Sequence, residues 1–590
     1  MKKEEEMKRY IFLFELASPH EMISQARKTR DTWGGSVLYS YLTWKGMKKA
    51  MEDGMGEIVL PQLSDKDKTK FLHTPNIFTA VISSPQIPGE VERVVLKEWE
   101  SLASEVKKKE LGEFAGDPVL EKIWKRQINS FFRERIYWVC MEIEGELEKE
   151  DFLRVSEYEA ARKRMRNMIQ TVEEEIKCTL CGKREVLRVS GKDIREFWTE
   201  LREKMGVGNI RKGERLCAVC FVKRMFLKIL KDLLKESLSE EFPSVSSIAV
   251  SPWVKKEKEK PEFRKITTRI KKFLQGKGVF CTSIYPSFTG IGEWLDGAWY
   301  YPDYLTPERV EKEGECELSG SERKKLEKIV RELKDFIKNA GVPSKYLALM
   351  KFDGDRMGRW IRGEHVEVNY REYLQRFSEA IFNFSREVRE IEKNTCARIV
   401  YAGGDDVLLF CPVEDVFKVA RWVRECFERN MQTIKGEMDD SPTISCGAVI
   451  FHHLYPLYSV LERVEDVLER TAKEELGRNA FAIEIIKGKE HKREGGKWEI
   501  LEILEKAKEC FSEGLSPRIV YHMFEEEEME NVKEAQEKEF LRLLGRHTEK
   551  EVFRKNQEKM EGLADIFKYA DWKKAATLLS FALTIQKEER

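Results

Sequence analysis

The chain has 590 residues, enough for roughly three to five domains. It carries 105 basic and 105 acidic residues, and this zero net charge argues against a protein that wraps nucleic acid over most of its surface, although local basic patches remain compatible with it. No apolar run approaches the roughly 20 residues that span a bilayer, and the N-terminus shows no signal-peptide pattern. We therefore expect a cytoplasmic protein.

The first part of the chain predicts a palm-like domain over residues 1–242. A buried strand is expected at residues 9–16, a long helical region at 20–51, two strands at 57–63 and 77–84, and a charged helical stretch at 89–147. This order is the start of a split βαβ unit. Glu15 is a single acid at the end of the first strand, so this palm is predicted to lack metal ligands. The basic run at residues 27–30 could hold phosphate or RNA, or it could form a solvated helix face.

Four cysteines predict a metal-binding insertion at about residues 176–222. Cys178 and Cys181 form one CxxC pair, and Cys217 and Cys220 form a second pair after a gap of 35 residues. Four thiolates from two such pairs suit a tetrahedral, structural Zn²⁺ site with no open position for catalysis. Four ordinary cysteines or a redox pair are the alternative.

The rest of the chain predicts three further domains. Residues 243–343 are expected to be mainly helical, and residues 491–590 are expected to form a C-terminal helical bundle after a linker-like stretch at 491–496. Between them, residues 344–490 predict strands at 346–352, 397–401, 406–411, 443–452 and 480–486, with helices at 370–392, 414–430 and 457–476. The order β-α-β-β-α-β is the ferredoxin-like plan. The predicted fold class is therefore a multidomain α+β protein with two ferredoxin-like palms, a zinc-binding insertion and two helical domains.

The second palm concentrates carboxylates. Its GGDD motif at residues 403–406 lies between two apolar runs, and a Gly-Gly pair in that position marks a tight hairpin. Asp353 and Asp355 directly follow the strand at 346–352. In a ferredoxin-like sheet that strand lies between the third and the fourth, so up to four carboxylates should converge at one edge. Carboxylate oxygens suit Mg²⁺ or Mn²⁺, with substrate phosphates completing the shell, as in nucleotidyl transfer.

These motifs resemble a known family, the polymerase- and cyclase-like large subunit of type III CRISPR effector complexes, in the Cmr (type III-B) branch. The resemblance covers nearly the whole chain. Besides the paired CxxC, the matching segments are residues 26–36 (ARKTRDTWGGS), 75–78 (PNIF), 242–244 (FPS), 351–358 (KFDGDRMG), 401–406 (YAGGDD), 445–457 (SCGAVIFHHLYPL) and 476–483 (LGRNAFAI).

The resemblance implies antiviral defence through a nucleotidyltransferase that converts ATP into cyclic oligoadenylates once target RNA pairs with the guide. It implies Asp353, Asp405 and Asp406 as catalytic residues, the same three with Asp355 as ligands of Mg²⁺ or Mn²⁺, and Gly354, Gly403, Gly404 and Lys473 as nucleotide-binding residues. Lys473 is similar to the triphosphate-binding lysine of GGDEF cyclases, and a surface helix lysine is the alternative. The expected partners are other subunits of the complex, guide RNA and target RNA, with no membrane.

One departure from the family concerns an N-terminal HD nuclease domain. The chain contains no His-Asp dipeptide, so we expect no HD-type DNase activity. A different class of function remains open, a catalytically silent scaffold that binds ATP and holds guide RNA and partner subunits. A GGDEF-type diguanylate cyclase is disfavoured because Asp406 replaces the glutamate of that motif, and a templated polymerase would need a primer–template groove that no segment marks.

Overall fold

The structure is a computed structural model that describes residues 8–61, 70–165, 172–173, 175–206, 208–234, 242–285, 294–364, 369–434, 441–526 and 532–589. Its strands and helices make a mixed, helix-rich α/β fold, in agreement with the predicted α+β class. Within these residues, no helix combines the length and apolar character needed to cross a membrane. The predicted domain boundaries stay predictions.

The first part of the chain folds around a four-stranded antiparallel sheet. Its strands are β1 (Arg9–Leu16), β2 (Gly56–Leu60), β3 (Ile77–Ile82) and β4 (Ile136–Ile143), in the order β2-β3-β1-β4. The helices are α1 (Pro19–Ser24), α2 (Thr29–Ala50), α3 (Ile87–Leu111), α4 (Pro118–Phe131), α5 (Lys149–Arg164), α6 (Ile194–Met205) and α7 (Ala218–Leu234). This strand order is that of the ferredoxin-like plan.

Strand β4 corrects the prediction that residues 89–147 are helical throughout. Its sequence, IYWVCMEI, is rich in β-branched and aromatic residues, which is a strand signal. The charged helices on both sides obscured that signal. Because β4 pairs with β1 along its whole length, it completes the sheet.

The next segment is mainly helical, as predicted, and has a core of its own. It contains α8 (Val245–Glu257), α9 (Pro261–Gln275), β5 (Thr282–Ser283), β6 (Trp294–Leu295), α10 (Pro307–Gly314) and α11 (Gly320–Ala340). Phe263, Leu274 and Tyr300 are among its buried residues.

The second sheet has six strands among the described residues, in the order β12-β11-β10-β7-β9-β8. They are β7 (Tyr346–Gly354), β8 (Arg398–Gly403), β9 (Asp406–Pro412), β10 (Ile444–His452), β11 (Ala480–Lys487) and β12 (Glu490–Lys497). The helices are α12 (Met357–Ile361), α13 (Tyr370–Glu387), α14 (Ile391–Asn394), α15 (Val416–Met431) and α16 (Leu457–Asp466), which continues as a π-helix at Val467–Glu475. As expected, β7 lies between β9 and β10 and is antiparallel to both.

Strand β12 corrects the prediction of a linker at residues 491–496. Its sequence, EHKREGGK, lacks apolar alternation because it forms a charged sheet edge, so the pattern could not reveal it. Gly495 allows close pairing, since a Cβ there would lie 2.3 Å from the carbonyl oxygen of Phe481. Helices follow it, as predicted: α17 (Glu499–Glu513), α18 (Arg518–Glu525), α19 (Lys533–Arg546), α20 (Lys550–Lys555), α21 (Gln557–Glu561) and α22 (Trp572–Glu589).

Two shared cores join the two sheets. Successive side chains of a strand point to opposite faces, so each central strand contributes to both cores. One core contains Ile11 and Leu13 of β1 together with Ala348 and Met350 of β7. The other core contains Phe12 and Phe14 of β1 together with Leu347 and Leu349 of β7. The central strands of the two sheets are therefore fixed relative to each other by apolar packing.

A buried ion-pair network ties α2 to α7. Arg224 donates to both oxygens of Asp31, at 2.8 and 2.7 Å, and to Glu214 at 2.7 Å. Arg224 is 1% exposed and Asp31 is fully buried. Burial raises the cost of ionising Asp31, but the neighbouring guanidinium outweighs it and holds the pKa of the Asp31 carboxyl well below its usual range.

We expect Arg224→Met to destabilise the chain by about 3–5 kcal/mol, because it leaves two buried carboxylates without their partner. The midpoint of urea unfolding, followed by circular dichroism, measures the effect. Arg195→Met, on an exposed position of α6, is the matched control and should change stability by less than about 0.5 kcal/mol. Equal midpoints for the two variants would contradict a stabilising role for the network.

Candidate functional site

The GGDD motif forms the predicted hairpin between β8 and β9. Gly403 pairs with Asp406 across the two strands, so Gly404 and Asp405 are the turn residues. Gly404 has φ +67°, a left-handed conformation that favours glycine. Gly403 lies at the end of β8, where an added Cβ would be 3.6 Å from the backbone of His73, an ordinary contact. The turn therefore requires one of the two glycines for its backbone geometry.

Three carboxylates meet where this hairpin passes the end of β7. Phe352 of β7 is paired with Val407 of β9, which places Asp353 next to Asp406. Their carboxyl groups are close enough that Asp353 raises the pKa of Asp406. Asp405 lies over Gly354, because a Cβ on Gly354 would be 2.7 Å from Oδ2 of Asp405. The structure thus brings together Asp353, Asp405 and Asp406, as the topology predicted, and gives Gly354 a steric role.

Crowding of these carboxylates shifts their proton affinities. Burial and the charge of Asp353 raise the pKa of Asp405 to about 7. The same causes raise the pKa of Asp406 well above its usual range. Burial also disfavours the charged form of Asp353, but contacts with Asp406 and Lys473 lower its pKa. The three carboxyl groups are therefore held close together in a buried place, and the ammonium group of Lys473 lies beside them.

Asp355 departs from the expectation that four carboxylates converge. Thr443 and Ser445 each donate a side-chain hydrogen bond to it at 2.7 Å, and the backbone N–H of Asn479 donates at 2.9 Å. Both of its oxygens are thereby used, and the residue is buried. We infer that Asp355 fastens the loop after β7 to β10 and to the loop before β11, and that it supports the site.

Lys473 is the cation beside the carboxylates. It forms ion pairs with Asp353 and, at 2.6 Å, with Glu469. Its side chain is buried, at 8% exposure for the residue, which excludes the surface-lysine alternative. It lies in the π-helix that follows α16, and such segments are rare and frequent at functional sites. Burial opposes its charge, but the two ion pairs outweigh that effect and raise its pKa.

A cavity of about 430 Å³ opens between the two sheets next to the hairpin. Its walls include Gly403, Gly404, Asp405 and Asp406 from the second sheet and residues 74–79 from the first. The two sheets together thus enclose the space that the hairpin faces.

Sequence reasoning missed Lys351, Tyr401 and Glu465, which also line this cavity. Lys351 forms an ion pair with Glu465 at 2.5 Å. The sequence could have indicated Lys351 as a site residue, because this lysine interrupts an otherwise apolar strand, LALMKF. Glu465 and Tyr401 gave no comparable signal, since only the fold brings them to the cavity.

The acidic cluster has the chemistry of a divalent-cation site. Its donors are hard carboxylate oxygens, and Oδ1 of Asp406 is buried without a hydrogen-bond partner in the described part of the chain. An uncompensated buried oxygen of this kind is costly unless a cation or donor binds it. Asp353, Asp405 and Asp406 would hold Mg²⁺ or Mn²⁺.

The four cysteines form a compact second centre. Their sulfur atoms all lie within 4.8 Å of one another, and no other set of three or more potential ligands in the described residues is as close. Sulfur atoms of Cys181 and Cys217 are 3.8 Å apart, too far for a disulfide bond. Cys178, Cys217 and Cys220 are buried. This tetrad could hold a structural Zn²⁺ ion, as its spacing predicted.

Two family models match the two parts of the chain that contain these sheets. Residues 346–482 match the second palm domain of Cas10/Cmr2, and residues 11–110 match the N-terminal domain of the CRISPR-associated protein Cmr2. The fold and the acidic hairpin define a palm-domain protein. Over these residues the chain is similar to the Cas10/Cmr2 proteins.

Individual relatives show the same similarity. The CRISPR system Cmr subunit Cmr2 of Pyrococcus furiosus is 24% identical over 613 residues, which cover 85% of this chain and 65% of that relative. The chain thus spans just under two thirds of the length of its curated relative. Two structures of type III-B Cmr-beta, in the apo state and bound to cognate target RNA, have TM-scores of 0.61 and 0.63 at 14% and 15% identity. They cover 92% of this chain and 78% and 79% of their own, and show a shared fold.

We expect the purified chain to contain about one Zn²⁺ ion, and Cys217→Ser to lose it together with thermal stability, because a structural zinc site contributes folding free energy. Elemental analysis by mass spectrometry and thermal unfolding measure the two effects. Cys316→Ser, a cysteine outside the tetrad, should retain both. Zinc retained in Cys217→Ser would contradict the assignment.

We expect opposite behaviour from two aspartate variants of the acidic site. Asp406→Asn removes a carboxylate ligand and the cost of ionising a buried carboxyl, so it should weaken Mn²⁺ binding at least about tenfold and leave the metal-free chain at least as stable as the wild type. Asp355→Asn should cost about 1–3 kcal/mol of stability, since an amide nitrogen cannot accept the hydrogen bonds that one carboxylate oxygen now accepts. Its Mn²⁺ affinity should stay nearly unchanged.

Thermal unfolding in EDTA and titration with Mn²⁺, followed by electron paramagnetic resonance, separate the two roles. Loss of Mn²⁺ binding in Asp355→Asn at unchanged stability would make Asp355 a ligand and refute its supporting role.

Proposed function

We propose that this chain is the large subunit of an RNA-guided type III-B effector complex, and that its second palm makes cyclic oligoadenylate from ATP when target RNA is bound. The observation that carries the proposal is the convergence of Asp353, Asp405 and Asp406 at the end of β7, beside a cavity between two sheets that Asp405 and Asp406 line. The similarity to Cmr2, a subunit of a CRISPR system, and to a type III-B Cmr-beta structure bound to cognate target RNA supports partner subunits and target RNA as ligands, and the guide RNA is part of the proposal. The three aspartates support the proposed nucleotidyltransferase activity, since carboxylates hold the cations that such reactions use.

The cavity suits a nucleotide with its triphosphate toward the hairpin. Its volume of about 430 Å³ lies in the range of small-molecule sites. Gly404 has no side chain to block the approach of phosphates to the turn, and Lys473 supplies a positive charge beside Asp353. Lys351 supplies a second positive charge in the wall of the cavity. These two lysines would orient the triphosphate and offset the charge of the departing pyrophosphate.

In the proposed reaction, the 3′-hydroxyl of one ATP attacks the α-phosphate of a neighbouring ATP. A new P–O bond forms, the bond to the β-phosphate breaks, and pyrophosphate leaves. A divalent cation, when bound, lowers the pKa of the attacking hydroxyl and stabilises the charge on the α-phosphate. Asp405 and Asp406, with Asp353, would hold that cation, and the proton of the attacking hydroxyl would pass to solvent water.

A scaffold that binds ATP without turning it over is the second candidate function. It is favoured by the ion pair between Lys473 and Asp353, which occupies an oxygen of the central carboxylate. In that case the second palm would act as a nucleotide sensor. Turnover in the assembled complex decides between the two functions.

The test is ATP turnover with Mg²⁺ or Mn²⁺ in a reconstituted complex, with and without target RNA, with products identified by mass. We expect cyclic adenylates with target RNA, and a loss of at least about 100-fold for Asp405→Ala plus Asp406→Ala, because both removed groups hold the cation that acts on the reacting atoms. Asp335→Ala plus Asp565→Ala changes the net charge equally at exposed positions and should keep full activity.

Unchanged turnover in the first double variant would remove the assignment of the site. Absence of any adenylate product from the wild-type complex, with ATP still bound, would establish the scaffold function instead.

A further inference from the structure

A second cavity, which we call the basic cavity, lies apart from the cavity at the hairpin, which we call the acidic cavity. Its volume is about 740 Å³, and among the described residues none lines both this cavity and the cavity at the hairpin. Its walls come from the segment between α1 and α2, the cysteine-containing segment, the helical middle part and the end of β10. The basic cavity has no role in the proposed reaction.

Positive charge dominates the charged groups of its wall. The cations are Arg27, Lys28, Arg30, Arg211 and Arg309, and the acids are Asp296 and Glu313. Glu313 is already paired with Arg309 at 3.0 Å. Burial raises the pKa of Asp296, which weakens its negative charge. The cavity therefore presents a surplus of positive charge to whatever occupies it.

Two of these cations form no salt bridge within the described residues, although the charge of Arg211 acts on Asp296 in the same wall. The guanidinium groups of Arg27 and Arg211 form neither a salt bridge nor a side-chain hydrogen bond with any residue that the structure describes. Both residues are exposed. Lys28 behaves differently, since its ammonium donates to the carbonyl oxygen of Gly208 at 2.8 Å. Burial is the main reason that the pKa of Lys28 falls to about 7, and the charges of Arg224 and Arg211 lower it further.

The wall around these cations is held rigidly. Asp31 accepts backbone hydrogen bonds from Arg27 and Lys28 at 3.3 Å each, and the buried network with Arg224 fixes Asp31 in turn. Thr29 donates to the carbonyl oxygen of Pro243 at 2.6 Å. The start of α2 is thereby fastened to the start of the middle part, so the exposed side chain of Arg27 extends from a backbone that hydrogen bonds hold in place.

Helix geometry adds to the positive potential. The first residues of α2, α8 and α16 all line the basic cavity, and these helices have 22, 13 and 10 residues. A helix N-terminus carries a partial positive charge and free N–H groups, which favour anions.

Aromatic rings supply the other half of a nucleotide-type site. Phe280 is 58% exposed and Tyr458 is 48% exposed, although both line the cavity. The ring of Phe280 lies over Gly208, where a Cβ would approach it to 2.9 Å. Exposed rings beside arginines are typical of surfaces that stack bases and bind phosphates.

We propose that the basic cavity binds a nucleoside phosphate, either a free nucleotide or a nucleotide unit of single-stranded RNA. Arg27 and Arg211 bind the phosphate, and the exposed rings of Phe280 and Tyr458 receive the base. This site is distinct from that of the adenylate-forming reaction, because the two cavities share no lining residue among the described residues.

The test is binding to the full chain in EDTA, where metal-dependent turnover stops. The probes are ATP, AMP and a fluorescent single-stranded RNA of eight nucleotides, measured by calorimetry or fluorescence anisotropy. Arg27→Glu plus Arg211→Glu should weaken binding of at least one probe by about tenfold or more and flatten the salt dependence of that binding, because about two phosphate contacts are lost. Thermal unfolding verifies that the variant is folded.

The matched control is Arg195→Glu plus Arg331→Glu, which changes the charge equally at exposed positions outside the cavity. It should bind every probe as the wild type does. A second variant, Phe280→Ala plus Tyr458→Ala, keeps all charges and should weaken the same probe as the arginine variant.

The probes also distinguish the source of the ligand. A loss confined to ATP and AMP identifies a free nucleotide, and a loss confined to the oligomer identifies an RNA strand. Equal affinities of the arginine variant and the wild type for all three probes would overturn the proposal. An equal loss in the control would also overturn it, since the effect would then be one of overall charge.

Discussion

The burial of three carboxylates at one edge of a sheet is the constraint on which the site depends. Asp353, Asp405 and Asp406 would move apart if they could, because like charges in a poorly solvated place raise one another's free energy. The sheet prevents this: β7 is hydrogen-bonded on both sides, and the hairpin has a single turn geometry. A cation that binds the three carboxylates relieves this repulsion, and the relief adds to the free energy of its binding.

The surroundings of the cluster serve to keep that crowding in place. Asp355 ties the end of β7 to β10 and to Asn479, so the strand end cannot swing away. Gly354 leaves room for the Asp405 carboxylate. The shared cores then hold the first sheet over the hairpin. Removal of any one of these supports would give the carboxylates a way to separate.

The parts of the fold that were predictable are those with strong periodicity. The apolar run at β7, the Gly-Gly hairpin and the paired CxxC each follow from local chemistry, and the position of Asp353 beside Asp406 followed from strand order. Strands β4 and β12 were missed, because one was hidden among charged helices and the other forms a polar edge. The hydrogen bonds of Asp355 and the burial of Lys473 depend on segments that lie about 90 to 120 residues away. No local pattern records such contacts.

Helix α16 has a mechanical consequence that neither cavity alone would suggest. Its first turn, with Leu457 and Tyr458, lines the basic cavity, and its later residues Leu461 and Glu465 line the acidic one. Ten residues make a rod of about 15 Å, which transmits displacement rather than absorbing it. The π-helix that carries Lys473 continues the same rod. If a ligand at one end shifts the rod, occupancy of the two cavities becomes linked, and thermodynamics requires each ligand to change the other's affinity by the same factor.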